Sequence, residues 1–213
     1  MKLINKNILI AAFFYCFSLS AFAEISANIG VTSNYIWRGQ TQTSDNAAVS
    51  GGFDVESEHG FSAGIWTSTV DFSGDDAGNE TDLYVSYASS FGNLDVSVGG
   101  IYYMYTEHDD SDFSEATLDF GYQNFSFGMA YVVGSDFESE GDLFYHAGFA
   151  IPLSDDIEAA ITYGLIKPDD GENGSFWQVD VSKGDFTFSV VKASNELDSK
   201  EETKFVVSWG MNF

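Results

Sequence analysis

The chain has 213 residues and a formal net charge of −25, from 33 acidic against 8 basic residues. Phosphate binding needs a cationic surface, so this charge excludes nucleic acid as a partner. Aromatic residues make up 16% of the chain and proline only 2 residues, which favours a folded, strand-built protein over a disordered acidic one.

The N-terminal segment has the pattern of a cleavable secretory signal. Two lysines precede an apolar run over residues 8–19, and a small-residue site follows at residues 21–23. The run is shorter than the about 20 apolar residues of a membrane-spanning helix. We therefore predict a signal peptide at residues 1–23 and one mature domain at residues 24–213. The only cysteine, Cys16, falls in the signal, so the mature domain is expected to have no disulfide and no thiolate metal site.

From residue 24 onward, apolar residues recur at every second position in segment after segment. Such alternation indicates a strand with one apolar and one polar face. In chain order the segments are 25–37, 47–55, 61–65, 83–87, 94–104, 116–122, 125–133, 143–151, 157–165, 177–181, 186–190 and 205–213. About twelve segments of roughly ten residues predict an all-β fold, a transmembrane antiparallel up-and-down β-barrel.

The links between these segments alternate in length. Five short links, such as residues 123–124, alternate with six longer ones. The longer links lie near residues 39–45, 71–80, 106–112, 134–141, 168–174 and 195–202. A barrel in the bacterial outer membrane with both termini in the periplasm has this arrangement, and acidic residues crowd the longer links, where water solvates them. A soluble periplasmic β-sandwich or β-barrel is the alternative interpretation, because the strands of such proteins also alternate.

The last segment keeps its alternation to the final residue. Phe205, Val207, Trp209, Met211 and Phe213 share one face, whereas the ends of soluble domains commonly fray. We therefore predict a terminal strand covered by lipid. Its final Phe213 resembles the signal that the outer-membrane barrel assembly machinery recognises, which makes that machinery an expected partner.

Aromatic residues of the apolar face gather near both ends of the predicted strands. Aromatic rings favour the headgroup level of a membrane, so two girdles are predicted. The predicted periplasmic rim contains Phe53, Phe61, Tyr87, Tyr122, Phe125, Phe149, Phe186 and Phe213, and the predicted outer rim contains Tyr35, Trp37, Tyr102, Tyr131, Tyr145, Tyr163 and Trp177.

The opposite face of the strands is polar and predicts an acidic lumen. The candidate lumen or constriction residues are Arg38, Asp54, Asp82, Asp95, Asp119, His146 and Asp180. A negative lumen favours cations or neutral solutes over anions. The predicted function is therefore a narrow porin-like channel for passive diffusion of small solutes. The alternative is a closed barrel whose acidic outer loops bind divalent cations, lipopolysaccharide or a partner.

Arg38 is the only arginine in the sequence and is predicted to project inward near the outer end of the first strand. Its planar guanidinium is suited to bidentate contact with a carboxylate or polar solute at a constriction. An ion pair with a carboxylate of a neighbouring strand or loop is the other interpretation, because a lone cation in a narrow lumen is costly.

Catalysis is not supported by the sequence. The three histidines, His59, His108 and His146, are far apart, and His146 falls on the lumen face, where it cannot form a lipid-facing dyad with serine. Acidic loop clusters lack the full ligand spacing of a known calcium loop. We predict no enzymatic activity, no cofactor and no metal site, with the acidic loops forming a hydrated surface beside lipopolysaccharide.

A block near the start of the mature chain carries a family resemblance. It consists of residues 34–39 (NYIWRG) with Thr41 and Thr43, followed by residues 51–54 (GGFD) and 64–66 (GIW). This block is similar to the N-terminal signature of the TorF family of porins, which is also catalogued as a conserved outer-membrane family of unknown function. The resemblance implies an outer-membrane location and a pore-like fold, and it implies no particular solute.

Overall fold

A computed structural model describes residues 23–72, 77–107, 111–137, 139–198 and 202–213. The strands are β1 (Ala23–Thr32), β2 (Ile36–Trp37), β3 (Gln40–Thr41), β4 (Ala48–Ser57), β5 (Phe61–Asp71), β6 (Ala77–Phe91), β7 (Leu94–Tyr105), β8 (Phe113–Tyr122), β9 (Phe125–Ser135), β10 (Leu143–Ser154), β11 (Ile157–Lys167), β12 (Gly174–Lys183), β13 (Phe186–Ala193) and β14 (Thr203–Asn212). Within the described ranges, no helix is long and apolar enough to cross a membrane. The predicted signal peptide and Cys16 lie outside these ranges, except for Ala23, with which β1 begins.

Twelve of these strands close into one antiparallel barrel. Each barrel strand pairs with the next one along the chain, and β1 closes the sheet against β14, with Asn28 opposite Asn212 and Thr32 opposite Ser208. Backbone hydrogen bonds between Phe213 and Ala27 extend this seam. Closure pairs the backbone groups that an open sheet would leave at its edges, which a membrane interior requires. The prediction of an all-β barrel of about twelve strands is confirmed.

The outward face of the barrel is apolar, as the alternation predicted. Phe205 and Phe213 are 66% and 68% exposed, and Val49 and Phe53 of β4 point outward in the same way. A soluble β-sandwich or soluble β-barrel would turn these side chains into its core, so the soluble alternative is wrong. A continuous apolar belt around a closed barrel needs lipid to cover it, which places the protein in the bacterial outer membrane.

Aromatic contacts mark the ends of the belt. At the end with the short turns, Phe61 contacts Tyr87 and Phe125 contacts Phe149, with ring centroids 4.7 and 4.8 Å apart. All eight residues predicted for this rim are exposed on the outside of the barrel. At the other end, Tyr163 of the predicted outer rim contacts Trp177 across neighbouring strands, at 4.6 Å.

The connections alternate as predicted. Short turns at residues 58–60, 92–93, 123–124, 155–156 and 184–185 alternate with longer connections at residues 33–47, 72–76, 106–112, 136–142, 168–173 and 194–202. The first turn requires glycine at Gly60, because its φ of 85° is left-handed and an added Cβ would lie 2.1 Å from the carbonyl oxygen of Ala88. We call the end with the longer connections the outer end.

The first longer connection, residues 33–47 (loop L1), corrects the prediction for the start of the chain. The first strand ends at Thr32 instead of continuing to Trp37, and L1 folds inward with a small β2–β3 hairpin. Arg38 and Gly39 form its turn with φ of 50° and 84°, as a tight hairpin of type I′ requires. Tyr35 and Trp37 therefore lie inside the barrel, and their predicted place in the outer girdle is wrong.

The reason for this error lies in local geometry. Residues of a short hairpin are extended, as those of a barrel strand are, so Tyr35 and Trp37 keep the apolar parity of β1, with only Ser33 interrupting it. Periodicity gives the local conformation and not the direction in which the segment turns.

Candidate functional site

Loop L1 crosses the outer half of the lumen from one wall to the other. On one side Ile36 packs on an apolar cluster of β12 and β13 that includes Phe176 and Val191. On the other side Trp37 packs edge-on against Tyr103 of β7, with ring centroids 5.9 Å apart. Strands β12 and β7 are nearly opposite in the order of the barrel, so the hairpin spans its width.

Arg38 at the tip of the hairpin forms the central polar contact of this half. Its Nη1 and Nη2 donate to Oε1 and Oε2 of Glu115 on β8, at 2.6 and 2.7 Å. The Tyr103 hydroxyl donates to the same carboxylate at 3.1 Å, and Glu115 is 3% exposed. The guanidinium lies 4.1 Å from the ring centroids of Trp37 and of Phe144. A bidentate, charge-assisted pair between two aromatic rings holds the loop tip in one position.

Short polar side chains hold the rest of L1. The Asn34 amide donates to Asp45 at 2.8 Å and its oxygen accepts from the Thr41 hydroxyl at 2.7 Å. The Thr43 side chain is 2% exposed and donates to the carbonyl oxygen of Asn46 at 2.6 Å. The first two bonds tie the start of L1 to its second half, and the Thr43 bond gives a partner to a backbone carbonyl that has left the barrel sheet.

Two further carboxyl groups lie beside L1 on strand β6. Glu80 is 2% exposed, and Tyr105 donates to its Oε1 at 3.2 Å. The Tyr35 hydroxyl of L1 faces the same carboxyl, and burial raises the pKa of Tyr35, so this hydroxyl stays protonated. Among the described residues, Oε2 of Glu80 and Oδ1 of Asp82 are buried and have no hydrogen-bond donor.

The inner half of the lumen, toward the short turns, is more accessible to water. Asp54 of β4 is half-buried and accepts hydrogen bonds from the Tyr84 hydroxyl and, at 3.4 Å, from the Asn28 amide. Asp95 is exposed near the β6–β7 turn, where the Ser90 hydroxyl donates to it at 2.5 Å. The two carboxylates lie apart from the L1 contacts described above.

Two more predicted lumen carboxylates lie on the opposite arc of the wall. Oδ1 of Asp119 lies 3.0 Å from Nε2 of His146. Gly128 makes this contact possible, because an added Cβ there would lie 2.1 Å from both atoms. Asp180 accepts a hydrogen bond from the Ser189 hydroxyl at 2.5 Å. The side chains of Asp119, His146 and Asp180 are partly exposed. Ser189 is buried and lies where the inner half meets the buried outer half.

An open cavity of about 490 Å³ lies along the seam between β1 and β14. Its lining includes the small polar side chains of Asn28, Ser50, Thr187 and Ser208. The inner half therefore offers space and hydrogen-bonding groups, whereas the outer half is filled by L1.

Comparison with known proteins identifies the family to which the sequence belongs. Over residues 19–207 the sequence matches Gcw_chp, a family described as a bacterial protein of unknown function. The chain belongs to the Gcw_chp family. No curated protein matches the sequence.

Solved structures share the fold of this Gcw_chp chain. The KdgM porin is 9% identical over 88% of this chain and 98% of its own, with a TM-score of 0.59. The outer membrane protein Omp33 of Acinetobacter baumannii is 8% identical over 89% and 95%, with a TM-score of 0.54. KdgM in complex with disordered oligogalacturonate is 8% identical over 90% and 98%, with a TM-score of 0.53. At these identities the likeness shows the fold alone.

Sequence reasoning missed two residues of the outer half as site candidates. Glu115 has the polar parity of its predicted strand, but its pairing with Arg38 cannot be inferred, because nothing in the sequence shows where L1 turns. Glu80 was placed in a loop, although it shares the parity of Asp82 and could have been found by extending that strand by one pair of residues. Within the described part of the Gcw_chp chain, no group of three or more His, Cys, Asp or Glu residues is arranged to hold a metal.

Proposed function

We propose that this Gcw_chp protein is a narrow outer-membrane channel through which small solutes diffuse, with L1 as its constriction. The acidic inner half of the lumen would favour cations and neutral solutes over anions. The shared fold supports a channel, because one of the solved structures with this fold, KdgM, is described as a porin.

The observation that carries the selectivity is the distribution of charge. Asp54 and Asp180 lie on the inner wall in partial contact with water. By contrast Lys167, Lys183 and Lys192 fall on the outward parity of their strands. Lys204 of β14 lies on the inward parity, but it is paired with Asp45 of L1 in the outer half, at 2.8 Å. Carboxylates without matching cations give the lumen a negative potential.

This charge argues against an acidic sugar as the solute. One structural neighbour, KdgM, was solved with oligogalacturonate, which is a polyanion. The inner lumen of the present chain would repel such a ligand, so we do not extend that ligand to it.

A closed barrel without transport is the second candidate, and L1 is the observation that favours it. The hairpin spans the outer lumen and is fixed by the buried Arg38–Glu115 pair. In this case the acidic outer loops would bind divalent cations, lipopolysaccharide or a partner protein. Either function leaves the protein without enzymatic activity.

Three further predictions belong to this proposal. The chain is exported by a signal peptide at residues 1–23. The assembly machinery recognises Phe213, whose ring is 68% exposed on the outside of the barrel. The protein is a relative of the TorF porins, whose signature it resembles in residues 34–43.

Planar-bilayer recording separates the two functions. The purified barrel should give discrete conductance steps, and under a gradient of KCl its reversal potential should have the sign of cation preference. A silent bilayer would contradict the channel and favour the closed barrel, provided that heat-modifiable migration in gels shows the inserted protein to be folded.

A further inference from the structure

The buried charges around L1 do not balance. Three carboxyl groups, those of Glu80, Asp82 and Glu115, lie in the outer half of the lumen. The basic group that contacts them is Arg38, and both of its terminal nitrogens are used by Glu115. Glu80 and Asp82 are left facing each other without a cation from the described part of the chain.

The unpartnered oxygens of this pair are the specific sign of a missing ligand. Oε2 of Glu80 and Oδ1 of Asp82 are inaccessible to solvent, and no N–H or O–H group of the described chain donates to them. The two carboxyl groups contact each other, and Glu80 as a residue is 98% buried. Buried carboxylates in this situation cost several kcal/mol per ion unless a counter-charge is present, on the order given for buried charges in general. One shared proton would still leave one negative charge next to Glu115, whereas a divalent cation would cancel both.

We propose that Glu80 and Asp82 form a binding site for a hard divalent cation, Mg²⁺ or Ca²⁺, in the outer half of the lumen. All the nearby donor atoms are oxygens, which such cations prefer, and Mg²⁺ in particular is commonly held by one or two carboxylates with water completing its shell. The hydroxyl oxygens of Tyr35 and Tyr105 face the same carboxyl group and are available as further ligands.

The position of the site links it to loop L1. Glu80 and Asp82 belong to the wall strand β6, while Tyr35 belongs to L1 and also packs on Trp66, with ring centroids 5.6 Å apart. A cation between them ties the first part of the loop to the wall, on the side away from the apolar cluster at Phe176. The cation therefore fixes L1 to the barrel wall at a second position, independent of the Arg38–Glu115 pair.

Terbium luminescence tests the site directly, because Tb³⁺ replaces Ca²⁺ and is sensitised by nearby aromatic rings such as those of Tyr35, Tyr105 and Trp66. The protein is purified in detergent, treated with a chelator and titrated with Tb³⁺. We expect saturable emission that Ca²⁺ or Mg²⁺ displaces. Glu80→Gln and Asp82→Asn should each weaken Tb³⁺ binding at least about tenfold, since even loss of a group supporting a metal ligand has an effect of this size.

The control is Asp170→Asn in the exposed loop between β11 and β12, which removes the same charge from the outer surface. It should leave the emission unchanged. Equal emission from the wild type and both β6 variants would overturn the proposal, as would emission that Ca²⁺ and Mg²⁺ fail to displace; the pair would then hold protons. Should one variant not fold, as judged by heat-modifiable migration, the other decides.

The cation site does not depend on transport, so the two proposals can fail separately. A conducting barrel that binds no Tb³⁺ at β6 contradicts the cation site alone. A silent barrel that binds Tb³⁺ there contradicts the channel alone.

Discussion

The outer and inner halves of the lumen differ in hydration although the same strands build both. In the outer half, inward side chains such as Tyr103, Val191 and Glu115 are buried because L1 covers them. In the inner half, inward side chains such as Asp54 and Asp180 stay in partial contact with water. Alternation along a strand decides which residues face inward, and a loop decides which of them become a core.

The two halves also differ in how their charged side chains are compensated. Arg38 and Glu115 form a buried bidentate pair, so removing one partner leaves a charge without compensation. Asp180 is held by hydroxyl and amide groups beside water, so removing its charge changes the potential of the lumen more than the fold. Substitutions in the outer half should therefore act on loop position, and those in the inner half on selectivity.

Removing L1 should leave the outer half of the lumen as open to water as the inner half. This change should have the largest effect on conductance. Replacing residues 34–46 by a short Gly-Ser linker takes away the hairpin that fills the outer half. We expect a several-fold increase in single-channel conductance in planar bilayers, because the wider inner half then sets the resistance. The matched control replaces residues 168–173, the loop between β11 and β12, with a linker of the same composition. Unchanged conductance in the first variant would mean that L1 is not the constriction.

Strand number, face and loop alternation could be predicted from the sequence because each depends on local patterns. The outward Phe205 and Phe213 and the turn at Gly60 follow from period-2 alternation and turn chemistry alone. Lumen orientation of Asp54, Asp119 and Asp180 follows from parity in the same way.

The outer half could not be predicted from the sequence. The contact between Arg38 and Glu115 joins residues 77 positions apart, and it depends on the direction in which L1 leaves β1. One local signal was available in the two hairpin residues Arg38 and Gly39, since an X-Gly pair between extended residues favours a tight turn. The short polar residues Asn34, Thr41 and Thr43 are also typical of a folded loop rather than a strand.

Arg38→Ala should loosen L1 without removing it. Glu115 then remains buried without its counter-charge, a change that costs about 3–5 kcal/mol when one partner of a buried pair is lost. We expect L1 to leave its position for part of the time, seen as fluctuations between two conductance levels. Arg38→Lys keeps the charge and loses the bidentate geometry, so it should give fewer fluctuations.

The double variant Arg38→Ala/Glu115→Gln completes this test. Because both charges are absent, Ile36 and Trp37 should again hold the loop, and the fluctuations should decrease relative to Arg38→Ala. Fluctuations as strong as those of Arg38→Ala would show that the pair contributes little to the position of L1.

Adding one methyl group to each half should destabilise the packed outer half and leave the hydrated inner half unchanged. A Cβ at Gly164 would lie 2.1 Å from Cε1 of Phe176, on which Ile36 of L1 packs. A Cβ at Gly210, on the inward face of the inner half, has its nearest contact at 3.7 Å, to the carbonyl oxygen of Ile29. Gly164→Ala should lower the free energy of unfolding by about 1–3 kcal/mol, as overpacking does, and Gly210→Ala should not. Urea titration in detergent, followed by tryptophan fluorescence, measures both; equal effects would mean that the outer half is not packed as a core.

Asp180→Asn should have the smallest effect, because it changes one charge in a hydrated region. Asparagine keeps an oxygen that accepts from Ser189, so folding should be unaffected while the cation preference of the channel decreases. The decrease should be visible at about 0.1 M KCl, where the Debye length is about 10 Å, and should disappear at about 1 M, where it is about 3 Å. Reversal potentials at the two concentrations measure it, with Asp170→Asn on the outer loop as control. A decrease of the same size at both concentrations would mean that Asp180 binds the permeating ion directly, and no decrease at either would mean that other lumen carboxylates, such as Asp54, set the cation preference.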